Sequence, residues 1–257
     1  MLFLLSNDDG YQAKGLNSLI DILRPMADIL VVAPSDARSG ASLSISSHTP
    51  LQSKMICREE ASEGLGSLTV YSCTGTPVDC IKMAFEYYLP EPPDLVIAGI
   101  NHGDNAAVNA HYSGTVGITI EGTIKHIPSI AFSSSKGAAD ADFSAMKPYI
   151  IKIVNAVLRD GLPDGVLLNV NAGDFEEFKG LRICHMGMGQ WREELQRKDH
   201  PRGWCYYWIA GYYDPEDADD ETTDTWAIRN GYVAITPVKI DITAYESMAS
   251  LKKCLEK

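Results

Sequence analysis

Short apolar, β-prone runs that alternate with helical periodicity constrain this chain more than any other feature. Leu2–Leu5 is followed by Leu16, Leu19, Ile20 and Leu23 at i, i+3, i+4 and i+7, and Pro25 ends that amphipathic helix. A second run, Ile29–Val32, leads through Ala33-Pro34 into the polar loop Ser35-Asp36-Ala37-Arg38-Ser39-Gly40. Further strands are predicted at 68–71, 94–100, 129–132 and 166–170, with helices opening at Thr76-Pro77 and Ser113 and spanning 146–158. Strands alternating with helices in this way imply an α/β fold with a parallel sheet.

Several runs end abruptly in polar residues. Leu4-Leu5-Ser6-Asn7-Asp8-Asp9-Gly10 places two adjacent carboxylates at a strand end, and Gly10 permits a turn that lets both approach one ion. Hard oxygen donors suit Mg2+, Mn2+ or Ca2+ better than zinc. The tetrapeptide alone is equally an Asn-Asp-Asp-Gly surface turn. Asn101 ends the 94–100 run much as Asp8 and Asp9 end the first. Ligands of open parallel sheets bind beyond the carboxyl ends of strands, so Asp8, Asp9, Ser39, Asn101 and Ser113 can reach one crevice. Ser113-Gly114-Thr115 at a helix start offers N–H groups and hydroxyls to phosphate oxygens, although Ser113 serves equally as a plain helix cap.

The texture changes after Gly173, where β-prone stretches at 181–186, 204–209 and 232–235 lack long intervening helices. This predicts a body over 1–173 and a β-rich extension over 174–257 that includes a terminal helix at 245–255. The apolar side of that helix, Met248, Leu251 and Leu255, can pack on the body or on another subunit. Asp214–Asp224 holds seven acidic residues without the spacing of a calcium loop and is read as a solvated hairpin tip. Tyr207 and Trp208 could stack a base or line an interface, with core or interface burial the favoured reading.

A net charge of −12 argues against general attraction to a nucleic-acid polymer. No uninterrupted apolar stretch reaches membrane length, and the opening residues lack the basic n-region of a signal peptide, so a cytoplasmic protein away from membranes is expected. The six cysteines form no C-x-x-C pair, and Cys80 on a helix stripe reads as buried packing. Carboxylates with a hydroxyl and an amide carbonyl give an all-oxygen coordination set that fits phosphoryl transfer to water better than acyl transfer, and the absence of a nucleophile elbow, Walker phosphate loop and dinucleotide fingerprint narrows the class.

Five segments then occur in a telling order: Ser6-Asn7-Asp8-Asp9-Gly10; Arg38-Ser39-Gly40 with Ser42 and Ser44; Gly75-Thr76-Pro77-Val78-Asp79-Cys80; Ile100-Asn101-His102-Gly103-Asp104-Asn105; and Tyr112-Ser113-Gly114-Thr115-Val116-Gly117 with Glu121-Gly122. Together they resemble the SurE family of survival-protein 5'-nucleotidases. Weaker likeness continues through Leu168–Asn171, Pro201–Gly203, Tyr207–Ile209 and Gly231–Pro237, so it spans nearly the whole chain. The resemblance implies a three-layer, Rossmann-like, mostly parallel sheet with the C-terminal appendage. It also implies hydrolysis of nucleoside 5'-monophosphates, one divalent cation per subunit (Mg2+ or Mn2+, with Ca2+ able to occupy the site), and a homodimer or homotetramer with the 174–257 extension as the oligomerisation region. By the same resemblance, Asp8, Asp9, Ser39 and Asn101 hold the metal, and Asp8, Asp9 and Asn101 are catalytic. Gly40, Asn105, Ser113, Gly114 and Thr115 would surround the phosphate. Two departures stand out, Ala107 where the family commonly has glycine and Asn109 where an acid is common. They bear on the conformation of that loop and on substrate selection.

Attack by water is the expected route, with Asp8 as a phosphorylated nucleophile, or a crevice that only senses nucleotides or anions, as competing readings. His102 and His111 flank the crevice and are candidate acids for the leaving alkoxide.

Overall fold

A computed structural model describes residues 1–256. Nine strands form one sheet in the order β3-β4-β2-β1-β5-β6-β7-β13-β8. The parallel centre comprises β1 (Leu2–Ser6), β2 (Asp28–Pro34), β4 (Leu68–Cys73), β5 (Leu95–His102), β6 (Ser129–Ser134) and β7 (Val166–Ala172). One edge is closed by β3 (Ser53–Glu59), antiparallel to β4. At the other, β13 (Val233–Lys239) runs antiparallel to β7 and β8 (Leu181–Ile183) lies parallel to β13.

Alternation along the strands divides the core into two layers. Phe3, Leu5, Ile29 and Val31 pack with α1 (Lys14–Leu23) and α4 (Lys147–Asp160) through Leu16, Leu19, Ile150 and Val154. Leu4, Leu30 and Val32 face α2 (Pro77–Met83) and α3 (Gly114–Ile124) through Ile81, Val116 and Ile118. Each such fully buried aliphatic side chain contributes roughly 2 kcal/mol. Cys80 lies fully buried in the second layer, as its helix stripe predicts. The expected α/β class and three layers are therefore present, with α1, α2, α3 and α4 where the apolar periodicities place them.

The division at residue 173 does not describe the sheet. β13 pairs with β7 over seven residue pairs, and β8 joins beyond it, so both strands complete the body. An isolated apolar run cannot reveal which strand it will pair with, because pairing is a long-range choice. What projects from the body is one long hairpin. Its base is β9 (Gly189–Arg192) with β12 (Tyr212–Pro215), and its tip is β10 (Leu195–Asp199) with β11 (Cys205–Ile209). Tyr207 and Trp208 are exposed on this tip, so within one chain they are not core residues. The terminal helix α6 (Tyr245–Leu255) is present and buries none of its residues in this chain. The acidic stretch is likewise not a hairpin tip: β12 ends at Pro215, and Asp224 is the fully buried first residue of α5 (Asp224–Arg229).

One irregularity in β5 positions the functional residues. The β5–β6 register shifts between Ala98 and Asn101, so residues before and after the shift exchange faces. Leu95, Ile97 and then Ile100 belong to the α1/α4 layer, which sends Asn101 toward α3 and His102 toward Phe143 on the other side. Gly99 makes the shift possible. Its φ is +118°, and a Cβ there would stand 2.1 Å from the Phe132 carbonyl oxygen. Gly99→Ala is therefore expected to destabilise the protein by about 3 kcal/mol or more in urea titrations. A loss below about 1 kcal/mol would show that the bulge tolerates a side chain.

Candidate functional site

Asp8 lies just beyond β1, only 3 % exposed, and its Oδ1 accepts a 2.6 Å hydrogen bond from the Thr115 hydroxyl. The first turn of α3 is pressed against it, and a Cβ on Gly114 would meet Asp8 Cβ at 2.8 Å and Oδ2 at 3.0 Å. Glycine at 114 is thus a close-approach requirement. Ser113 is the N-cap of α3, its Oγ accepting from the Val116 N–H at 3.0 Å, so the capping reading is correct and its hydroxyl hydrogen is left to donate elsewhere. Asn101 donates through Nδ2 to the Gly103 carbonyl at 2.7 Å, which turns its Oδ1 toward Thr115 Oγ1, 3.5 Å away.

Burial pushes the Asp8 carboxyl up to about 6, with the charge of Asp9 adding to the rise and bonds from Thr115 and the Gly114 amide opposing it. A buried carboxylate with that much unpaid desolvation is a good partner for a cation. Together with Asp9, Ser39 and the Asn101 amide oxygen it makes an all-oxygen donor set, which fits Mg2+, Mn2+ or Ca2+. No group of three or more His, Cys, Asp or Glu suited to a metal occurs among the described residues, so any cation here relies on the hydroxyl and amide as well.

Asp9 is oriented differently. Its Oδ2 accepts from the His102 backbone N–H at 3.2 Å and faces His102 Nδ1 at 3.0 Å; a carboxylate only accepts, so Nδ1 carries the proton. His102 also packs edge-on against Phe143, whereas the exposed His111 contributes its backbone carbonyl to the Ser42 hydroxyl.

Loop contacts bring the remaining candidates together. The Arg38 N–H donates to the Asp8 carbonyl at 2.6 Å, which holds exposed Ser39 and Gly40 at the crevice. The Thr76-Pro77-Val78-Asp79 segment forms a capping box, and it also clamps this loop through Ser46 N–H to Asp79 and Thr76 Oγ1 to the Ser44 carbonyl. A cavity of about 830 Å³ is lined by Asp8, Ser39, Gly40, Asn101, Asn105 and Ser113, among others. Asp9, Gly114 and Thr115 do not line it: Thr115 and Asp9 support the lining residues Asp8 and His102 through the hydrogen bonds described above, and Gly114 packs behind Asp8. Asn105 lines the cavity and is anchored from beneath: Nδ2 donates one hydrogen bond to Ser133 Oγ at 2.8 Å, and the backbone N–H donates to Asn171 Oδ1 at 2.7 Å.

Two supporting groups escaped sequence reasoning. Asn169 and Asn171 sit two apart on β7, face the same side, and hold Asn105 from below. Two asparagines at that spacing inside a buried strand were the available signal. Buried Asp224 accepts from the N–H groups of Ala107, Gly187 and Thr225 at 3.0, 2.9 and 2.8 Å. One carboxylate thereby ties the 103–111 loop to the hairpin base, hidden within an acidic run that looked solvated. Ala107 shows what the tie achieves: it keeps a left-handed backbone, φ +49°, although it carries a Cβ.

Two expectations follow. Ala107→Gly relieves that conformation and raises stability by about 1 kcal/mol, or roughly 2–4 °C in Tm; an unchanged or lower Tm would contradict the strain. Asp8 binds its proton more tightly folded than unfolded, so its favourable contribution is complete below about pH 4 and is lost as pH rises through about 6. In chelator-treated protein at neutral pH, Asp8→Asn should be more stable than the parent chain by up to about 3 kcal/mol, with the advantage vanishing near pH 4. A difference independent of pH would refute that account.

The family model described as "Survival protein SurE" matches residues 3–193. The chain is 52 % identical to a 5'-nucleotidase SurE of Phocaeicola vulgatus, over 98 % of this chain and 95 % of the relative. It is 46 % identical to a 5'-nucleotidase SurE of Bacteroides fragilis, over 98 % and 96 % of the two chains. A crystal structure of the SurE protein from Aquifex aeolicus superposes with a TM-score of 0.81 at 36 % identity, covering 99 % of each chain. With the fold, the ordered motifs and nearly complete coverage in agreement, the chain belongs to the SurE survival-protein family.

Proposed function

We propose that the chain is a divalent-metal-dependent 5'-nucleotidase that hydrolyses nucleoside 5'-monophosphates to nucleoside and phosphate. The observation that carries the metal requirement is Asp8: a carboxylate sealed against Thr115 and α3, beside the Asn101 amide oxygen, in a cavity wide enough for a nucleotide. The 5'-nucleotidase relatives support the substrate class.

Asp8, Asp9, Ser39 and Asn101 would hold the cation. When bound, Mg2+ or Mn2+ neutralises phosphate charge and lowers the pKa of a coordinated water. The chain itself supplies orientation. Thr115 holds Asp8, His102 holds Asp9, and Gly103 holds the Asn101 amide, so three donors are set before substrate arrives. The Ser113 hydroxyl and the start of α3 face the phosphate side, where developing negative charge is stabilised. Gly40 leaves room for the phosphate, with open space around its α-carbon, and Asn105 shapes the opposite side. Asp8 is the less suitable nucleophile because it is buried and its Oδ1 already accepts a hydrogen bond from the Thr115 hydroxyl, so water is the attacking group.

The exposed apolar residues of the hairpin tip and of α6, among them Trp208, Ile209, Tyr245 and Leu255, favour packing between copies of this chain as a homodimer or homotetramer. No helix among the described residues is long and apolar enough to cross a membrane.

Phosphate release from nucleoside monophosphates with Mg2+ or Mn2+, against a chelated control, tests the activity. The Asp8→Asn, Asp9→Asn double variant should lose at least about a thousandfold in kcat/KM. Full metal-dependent turnover by that variant would overturn the metal site, and binding without any release by the parent chain would favour a sensor.

A further inference from the structure

The crevice that contains Asp8 and Asn101 has a second end. Trp191, Glu194, Ile209 and Gly211 of the projecting hairpin line the same cavity of about 830 Å³. That size matches a whole small-molecule ligand rather than a phosphate alone. The two ends differ in chemistry. One has the oxygen donors and the start of α3, the other an indole, an aliphatic residue and a carboxylate. The carboxylate of Glu194 disfavours a phosphate at the hairpin end, so a nucleotide has one favourable orientation, with its uncharged portion toward Trp191.

Trp191 is also the held aromatic surface at the hairpin end of the cavity. Its indole N–H donates to Asn109 Oδ1 at 2.9 Å, and Tyr213 backs the ring at 6.3 Å between centroids with an interplanar angle of 61°. Tyr112, another aromatic on the lining, is 61 % exposed. A ring already held in place loses little conformational freedom when a planar ligand stacks on it. Beyond the indole lies a smaller cavity of about 360 Å³ that shares Asp104, Asn109 and Trp191 with the crevice, so the Trp191–Asn109 pair forms the partition between them. This bond gives Asn109 a specific task.

We propose that Trp191 is the platform on which the base of the nucleoside monophosphate stacks, with Asn109 as the positioning residue that keeps the indole as one wall of the crevice. The inference rests on the nucleotidase reading of the same cavity. It makes base recognition a property of the hairpin and phosphate recognition a property of the sheet edge.

The test compares nucleoside 5'-monophosphates with ribose 5-phosphate, which has the phosphoester and no base. In Trp191→Ala, the ratio of kcat/KM for nucleotide over ribose 5-phosphate should fall about 10- to 100-fold, mainly through KM, whereas Trp191→Phe, which keeps a stacking face and loses the N–H that Asn109 holds, should fall between the parent and Trp191→Ala. Asn109→Ala should lower the same ratio through KM, and Asn109→Asp, which can still accept the indole N–H, should restore it. A ratio unchanged in Trp191→Ala, or equal losses on both substrates, overturns the platform. Should the parent chain hydrolyse no phosphomonoester, the nucleotidase reading fails separately. Calorimetric titration with adenosine and guanosine then decides the platform, which stands if Trp191→Ala weakens binding about tenfold or more and falls if it does not.

Discussion

A carboxylate buried at the carboxyl edge of a parallel sheet is costly, and the surroundings of Asp8 are organised around that cost. Thr115 donates to it, the Gly114 amide faces it, and the start of α3 brings the positive end of a helix dipole close. Those contacts are incomplete compensation, since the carboxyl remains elevated to about 6. This imbalance is what the proposed cation would offset. Close packing of α3, nine of whose eleven residues are buried, prevents the helix from relaxing away from the charge.

The same edge depends on a change of phase in β5. Had the strand continued without its register shift, Asn101 would face α1 and α4 and His102 would face α3. The shift at Gly99 reverses them, placing an amide oxygen beside Thr115 and an imidazole beside Asp9. Polar residues that were merely neighbours in sequence thereby serve opposite sides of one site. Farther out, Asp224 couples the 103–111 loop to the hairpin, so the geometry at the sheet edge and the wall formed by Trp191 share a support.

Much of the fold was legible because its signals are local. Leu16, Leu19, Ile20 and Leu23 give α1 its buried stripe, and Thr76-Pro77 start α2 through capping chemistry that acts within four residues. The partnership of β13 with β7 was not legible, since an apolar run does not encode its neighbour across the sheet. Asp224 was misread for a related reason. Its acidic sequence neighbours suggested solvent, but burial is decided by what packs over a residue, here α5, the 103–111 loop and Gly187.

By itself, the sequence determined the alternating α/β architecture, the strand-end placement of Asp8, Asp9, Ser39 and Asn101, and the helix start at Ser113, because hydrophobic period and capping are short-range physics. Family membership was equally visible in the ordered motifs. Tertiary structure alone decided that Asp8 and Asp9, adjacent in sequence, have different partners, that Ala107 holds a left-handed turn against Asp224, and that a distant indole lines the crevice. Those outcomes depend on which groups meet across the sheet and how much water they exclude, and neither quantity exists until the chain has packed.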